Sequence, residues 1–282
     1  MQLQQGSQIA KFHLFRKCGL LAHTSAAFLK NCCIEKLLVA CGLDFITYSD
    51  FYFILQKGGN RMSKKFEKLR FRVAKTGRAK YISHLDFVRC VQRTIRRSGL
   101  PVHYTNGFHP HMEAVFATAL PLGMESIGEV LEICFAEPVE PEAARTCLQA
   151  SLPEGMKLLQ VYQPVHKMGE LAYVRYRVTI PSEQPEQLFE EWHAFLQQPE
   201  VLVEKKSKRG MRTVDLLPQI DCQAEQVIAG ALVLEWMLSV GQPESVNPNL
   251  IVTAFASFAG VSAEQVQICR TQLCTAERTE FL

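Results

Sequence analysis

The chain has 282 residues, 48 % of them apolar, with 31 Lys and Arg against 28 Asp and Glu, a formal charge of +3. That length and composition describe a globular chain of one large or two ordinary domains. No run of about 18–20 apolar residues occurs, which excludes a helical membrane span; the nearest candidate, 34–56, is broken by Glu35, Lys36, Asp44 and Asp50.

Residues 1–61 differ in texture from the rest, rich in Cys, Phe and Leu and without a clean helical or strand period. At 57–62 the chain reads Lys-Gly-Gly-Asn-Arg-Met, which back-translates to a purine-rich stretch just before an ATG. A bacterial ribosome-binding site has that form. We therefore expect Met62 to be the start and 1–61 to be translated leader; intact mass of natively expressed protein tests this, and a species beginning at Gln2 would refute it. The alternatives are a genuine helical extension, or a signal peptide whose apolar stretch is interrupted by His23, Thr24 and Ser25.

Charge is unevenly spread. Residues 62–97 hold twelve Lys and Arg against Glu67 and Asp86, a formal +10, whereas 98–282 hold twelve basic and twenty-three acidic residues, a formal −11. Concentrated positive charge on an acidic body raises the local density of phosphate ligands. A solvated basic helix without a ligand is the plain alternative.

After Met62 the pattern runs as one unit twice. Leu69 to Val73 alternates apolar and basic residues, the period of a half-buried strand. A polar loop around Gly77 leads to Ser83, an N-cap with Asp86 three residues on. The helix that follows places Leu85, Val88, Val91 and Ile95 inward and ends at Gly99 and Pro101. Strands are predicted at 102–104, 114–117 and 130–135, a helix at 141–152 and a strand at 157–162. The second half predicts a strand at 173–180, a helix at 186–197, short strands at 201–205 and 213–217 around a basic turn, a strand at 231–239, a helix at 249–259 and a strand at 266–270. The order βαββαβ is the ferredoxin-like, split-βαβ motif. The expected fold is α+β: two tandem ferredoxin-like domains, 62–168 and 169–282, each an antiparallel sheet with helices on one face.

Four segments carry the chemistry: Lys80-Tyr-Ile-Ser-His-Leu-Asp86, Gly107-Phe-His-Pro-His111, Pro121-Leu-Gly-Met-Glu-Ser126 with Glu129, and Val203-Glu-Lys-Lys-Ser-Lys-Arg-Gly210 with Val214-Asp215. Together they resemble the radical-SAM-linked family, a bacterial domain of unknown function. The resemblance covers 66–282. Members are fused to the C-terminus of a radical SAM protein or encoded beside one, so the resemblance implies a separate radical SAM protein as partner. It supplies no catalytic residue. His109 departs from the family, which usually carries Asn there, and this weakens a role that needs an imidazole at that position.

This chain lacks the CxxxCxxC thiolate cluster that would hold the iron–sulfur centre of a radical SAM enzyme, and no cofactor is expected. Its cysteines show no CxxC and no regular framework, which favours reduced thiols in the cytoplasm. GxGxxG and GxxxxGK[ST] are absent, so nucleotide hydrolysis is not expected. The favoured reading is RNA binding through Lys75, Arg78, Lys80, Arg89, Arg93, Arg96 and Arg97, with Phe108 stacking a base. A second cluster, Lys205, Lys206, Lys208, Arg209 and Arg212, splays from the basic turn. Alternatively the basic helix docks on an acidic partner, and Phe108 plugs a core. An enzymatic reading uses His111 with Lys80 as acid and base, or a metal on His109 and His111 with Glu113, Glu125 or Glu129 as oxygen donors. A turn whose imidazoles bond backbone is the competing account of that loop.

Overall fold

The first strand shows how the sequence builds the sheet. In β1 (Glu67–Lys75) Leu69, Phe71 and Val73 are almost wholly buried on one face, and Arg70 is as deeply buried on the other. The structure, a computed structural model, describes residues 67–207, 210–241 and 245–282. The expected leader, 1–61, lies outside them. The described residues belong to one compact unit, 65–282.

Ser83 caps α1 (His84–Ser98): its Oγ accepts from the Asp86 amide at 3.2 Å and donates to the Asp86 carboxylate at 2.8 Å. The helix buries Phe87, Val91, Thr94 and Ile95, spaced i, i+4, i+7, i+8. Leu85, expected inward, is two-thirds exposed, because Phe87 takes the core position and rotates the apolar face. Gly99 closes the helix at φ 71°, a left-handed turn that favours glycine.

The chain continues through β2 (Ala114–Phe116), β3 (Glu125–Phe135), α2 (Pro141–Gln149) and β4 (Met156–Tyr162). The strand expected at 102–104 is reduced to isolated bridges, Val102 to Phe135 and Tyr104 to Met112. β5 (Tyr173–Pro181) and α3 (Pro185–Leu196) open the second half. The hairpin of β6 (Leu202–Ser207) and β7 (Gly210–Asp215) forms a separate two-stranded sheet. β8 (Asp221–Ile228), β9 (Ala231–Ser239), α4 (Pro248–Ala259) and β10 (Gln267–Cys274) complete the chain. Sequence reasoning missed β8, whose polar Asp-Cys-Gln-Ala-Glu-Gln run lacks alternation and carries a bulge between Cys222 and Ala224.

The protein is thus mixed α+β, with four α-helices among the described residues and a mostly antiparallel sheet. The strand path is β4-β1-β3-β10-β5-β9-β8, with β2 also on β3. The parallel pair is β3 with β10, over Cys269–Glu125 and Arg270–Ser126, and it joins the two halves into one sheet. Gly128 makes the join possible, since a Cβ there would stand 2.7 Å from the Thr271 carbonyl oxygen. Each half packs its helices on its own strands. Phe71, Phe87, Ile133 and Leu148 belong to one core; Trp192, Phe195, Trp236 and Phe255 belong to the other. No helix among the described residues is long and apolar enough to cross a membrane.

Candidate nucleic-acid interface

The basic block divides by location. On β1 its charges are consumed within the fold. The Arg70 guanidinium donates to Glu132 at 3.1 Å and to the Leu282 and His166 carbonyl oxygens, and lies over the Phe281 ring at 4.4 Å. Arg72 pairs with Glu280 at 2.7 Å, and Lys68 with Glu132 at 2.7 Å. Lys75 does not reach the surface. Its ammonium donates to the Ile82 carbonyl at 2.7 Å and stands 5.2 Å from the Phe87 ring centre, so it cannot grip a phosphate from there. Burial pushes its pKa down, Glu129 opposes that, and Arg270 adds to it.

On α1 the charges face water. Arg89, Arg93, Arg96 and Arg97 are exposed and recur at i, i+4, i+7 and i+8, which places them on one stripe. Arg89 meets Asp86 at 3.0 Å with both side chains more than half exposed, so water screens the pair. The Asp86 carboxyl is held below its ordinary pKa by the Ser83 hydroxyl and then by Arg89, with Arg93 adding at longer range. Arg97 donates to the Ser151 carbonyl at 3.0 Å. Among the described residues, Arg93 and Arg96 form no ion pair. Nor does Arg78, which is exposed on the short 3-10 turn Gly77–Tyr81. Lys80, on the same turn, is only 3.9 Å from Glu125.

Beside that turn the two halves meet. The Lys80 carbonyl accepts from Gly123 N at 3.0 Å, and Glu125 accepts from Gly77 N at 3.1 Å, so the turn is pinned to 121–125. A cavity of about 270 Å³ adjoins this segment, lined by Thr118, Pro121, Tyr176, Lys205, Asn247 and Arg270 among others. Lys205 of β6 borders it and donates to the Ser245 carbonyl. Arg212 is Lys205's neighbour across the hairpin and is exposed. Lys206 lies on the same strand; Lys208 and Arg209 fall outside the described residues. The hairpin thus reaches the hollow through Lys205, and the turn is linked to its edge through the segment that carries Pro121.

Beneath it lies an ionic pair that sequence reasoning missed. Arg270 of β10 donates to both Glu129 oxygens, at 3.0 and 3.2 Å, and to the Ala119 carbonyl at 2.7 Å. Both side chains are at most 2 % exposed. The missed signal was an arginine two residues after Ile268, at the next inward position of the strand.

Phe108 is fully exposed, so the core-plug alternative fails. His109 and His111 are exposed on the same loop, and His111 Nδ1 is 2.9 Å from the Thr105 hydroxyl. The metal set expected from His109, His111, Glu125 and Glu129 is not assembled, because Glu129 is buried on Arg270 and Glu125 accepts from Gly77 N. Among the described residues, the group close enough to share an ion is His103, Glu113 and Cys134. His111 and Lys80 are held by different neighbours, Thr105 and Glu125. Tyr81 and Leu122 are exposed around the turn, and Lys80 stands 5.4 Å from the Tyr81 ring centre.

A family described as an uncharacterized protein conserved in bacteria (DUF2344) matches residues 68–248, well over half of the chain. A search of curated proteins found no match. Among solved structures, a chain of the crystal structure of a Cbf5-Nop10-Gar1 complex aligns with a TM-score of 0.35 and 10 % identity. The alignment covers 73 % of this chain and 48 % of that one, so this chain spans about half that relative's length. Likeness at that level assigns neither fold nor function.

Proposed function

The chain belongs to this family of uncharacterised bacterial proteins, and from that premise we propose that it is an auxiliary RNA-binding protein working with a separate radical SAM enzyme in RNA modification or processing. It is built, in this reading, of two ferredoxin-like halves. The support is topological: β4-β1-β3-β2 and β10-β5-β9-β8 repeat one strand order. The radical SAM partner is carried by the resemblance of the sequence motifs and is a proposal. So is a cytoplasmic setting, with which the free thiols of Cys90, Cys134, Cys147, Cys222, Cys269 and Cys274 agree.

The observation that carries RNA binding is the solvent-facing stripe of Arg89, Arg93, Arg96 and Arg97, continued by Arg78 and Lys80 on the adjoining turn. Lys205 lines the hollow, and Arg212 is its neighbour across the hairpin. Exposed Tyr81 and Phe108 provide faces on which unpaired bases stack, worth about 1–3 kcal/mol per base. Single-stranded RNA suits this arrangement, because stacking needs bases out of a duplex.

Filter binding of a single-stranded RNA oligonucleotide tests it. The Arg93→Glu/Arg96→Glu protein should lose at least about tenfold in affinity and keep its thermal midpoint. Wild-type protein that does not bind, or a variant that binds equally well, contradicts the proposal. A second reading is favoured by Tyr81, Leu85 and Leu122, apolar and exposed among these cations. There the same surface docks on the radical SAM protein without RNA, and Arg93→Glu/Arg96→Glu abolishes co-purification of that protein while wild type shows no RNA affinity.

A further inference from the structure

On the sheet face opposite the first core, β3 and two bridged segments beside it bring His103, Glu113 and Cys134 side by side. Their backbones close a ring of hydrogen bonds. His103 N donates to the Cys134 carbonyl at 2.8 Å, Cys134 N to the Glu113 carbonyl at 2.9 Å, and Glu113 N to the His103 carbonyl at 3.0 Å. Residues paired in this way project on one face. Ile133 and Phe135, flanking Cys134, point into the core, which turns the thiol to the other side. The potential ligand atoms of the three lie within 4.8 Å of one another, and His103 Nδ1 is 2.8 Å from Glu113 Oε2.

We propose that His103, Glu113 and Cys134 form a site for a thiophilic divalent cation of the zinc class, with a fourth position open to solvent. Imidazole nitrogen, carboxylate oxygen and thiolate sulfur are the donors such an ion takes, while magnesium and calcium prefer oxygen alone. The backbone ring holds the three side chains in place before any ion arrives, so binding requires little ordering. The site's exposure is graded: Cys134 is buried, His103 is 16 % exposed and Glu113 is 42 % exposed. The open side therefore lies at the carboxylate. Three protein ligands with one vacant position is the arrangement of ions that act on a bound water or substrate.

Charge and protons balance. The Cys134 thiol loses its proton to solvent, and the resulting thiolate and the Glu113 carboxylate together neutralise the dication. The His103–Glu113 hydrogen bond gives way to ligation. Without metal, burial and then the hydrogen bond to Glu113 push the thiol up to about 11, with Glu132 raising it further and Lys68 opposing. Lys68 is itself paired with Glu132 at 2.7 Å, which offsets its charge beside a cation. Because one proton leaves per ion bound, affinity rises with pH.

The test uses untagged full-length protein, stripped with chelator and titrated with Co²⁺ and then Zn²⁺. We expect one Co²⁺ per chain with a thiolate-to-cobalt charge-transfer absorption that Zn²⁺ displaces. Cys134→Ser removes that absorption. Glu113→Gln, at a half-exposed position that keeps the fold, weakens affinity at least about tenfold. His109→Ala/His111→Ala leaves both unchanged. No charge-transfer band in wild type, a band that survives Cys134→Ser, or affinity unaltered in Glu113→Gln overturns the assignment.

Discussion

The junction residues concentrate the protein's electrostatic stakes. Arg270 and Glu129 are withdrawn from water, and removing one partner strands the other's charge in a low-dielectric interior. Burial alone works against the Arg270 charge, but Glu129 and Tyr176 outweigh it and raise the pKa. Glu129→Gln should therefore destabilise the fold by about 3–5 kcal/mol in urea unfolding, and Glu129→Leu/Arg270→Met should recover most of that loss. His84 adds a pH dependence. Burial pushes its pKa below the ordinary imidazole value; Glu129 opposes, and Lys75 and Arg270 push it further down. Its Nδ1 is buried without a hydrogen-bond partner among the described residues. The unfolded chain then binds the proton more tightly, so stability falls as pH drops from about 6.5 toward the folded value. The shift in urea midpoint between about pH 7.5 and pH 5.5 should be smaller in His84→Gln than in wild type. None of this was legible in the sequence, where Lys75 reads as one more surface cation. Its burial follows from the bulge between Val73 and Lys75, which tertiary pairing sets.

At the scale of elements, helix ends were legible and helix phase was not. Ser83 and Asp86 announce the start of α1, and Gly99 its end, through local bonding that needs no partner element. Which residue faces inward depends on the sheet beneath, and Phe87 displaced Leu85 there. β5 could be read from its alternation and β9 from its apolar run; edge strand β8 could not be read, and the region of 102–104 forms only bridges. Ser83→Ala and Gly99→Ala should each cost about 1 kcal/mol, read as shifts in urea midpoint. Gly128→Ala belongs to the same scale. A methyl 2.7 Å from the Thr271 oxygen forces β3 from β10, and a loss of about 1–3 kcal/mol is expected in the same assay.

For the whole molecule, the formal charge asymmetry was visible in the sequence, but its distribution in space was not. Among the described residues of the basic block, Lys68, Arg70 and Arg72 are spent holding β1 to Glu132, Glu280 and the Leu282 and His166 carbonyls, and Lys75 is buried. What remains outward among the described residues is the α1 stripe with Arg78 and Lys80 on the turn before it. The parallel β3–β10 pairing that makes one sheet of two repeated halves spans two residue pairs, too few to leave a sequence pattern.

The salt dependence of single-stranded RNA affinity tests this account most directly. If Arg78, Lys80, Arg89, Arg93, Arg96 and Arg97 each neutralise one phosphate, log K against log salt should fall with a slope of roughly −4, and Arg93→Ala/Arg96→Ala should make it shallower by about 1.4. An affinity indifferent to salt, or a slope that those two substitutions leave unchanged, would contradict it.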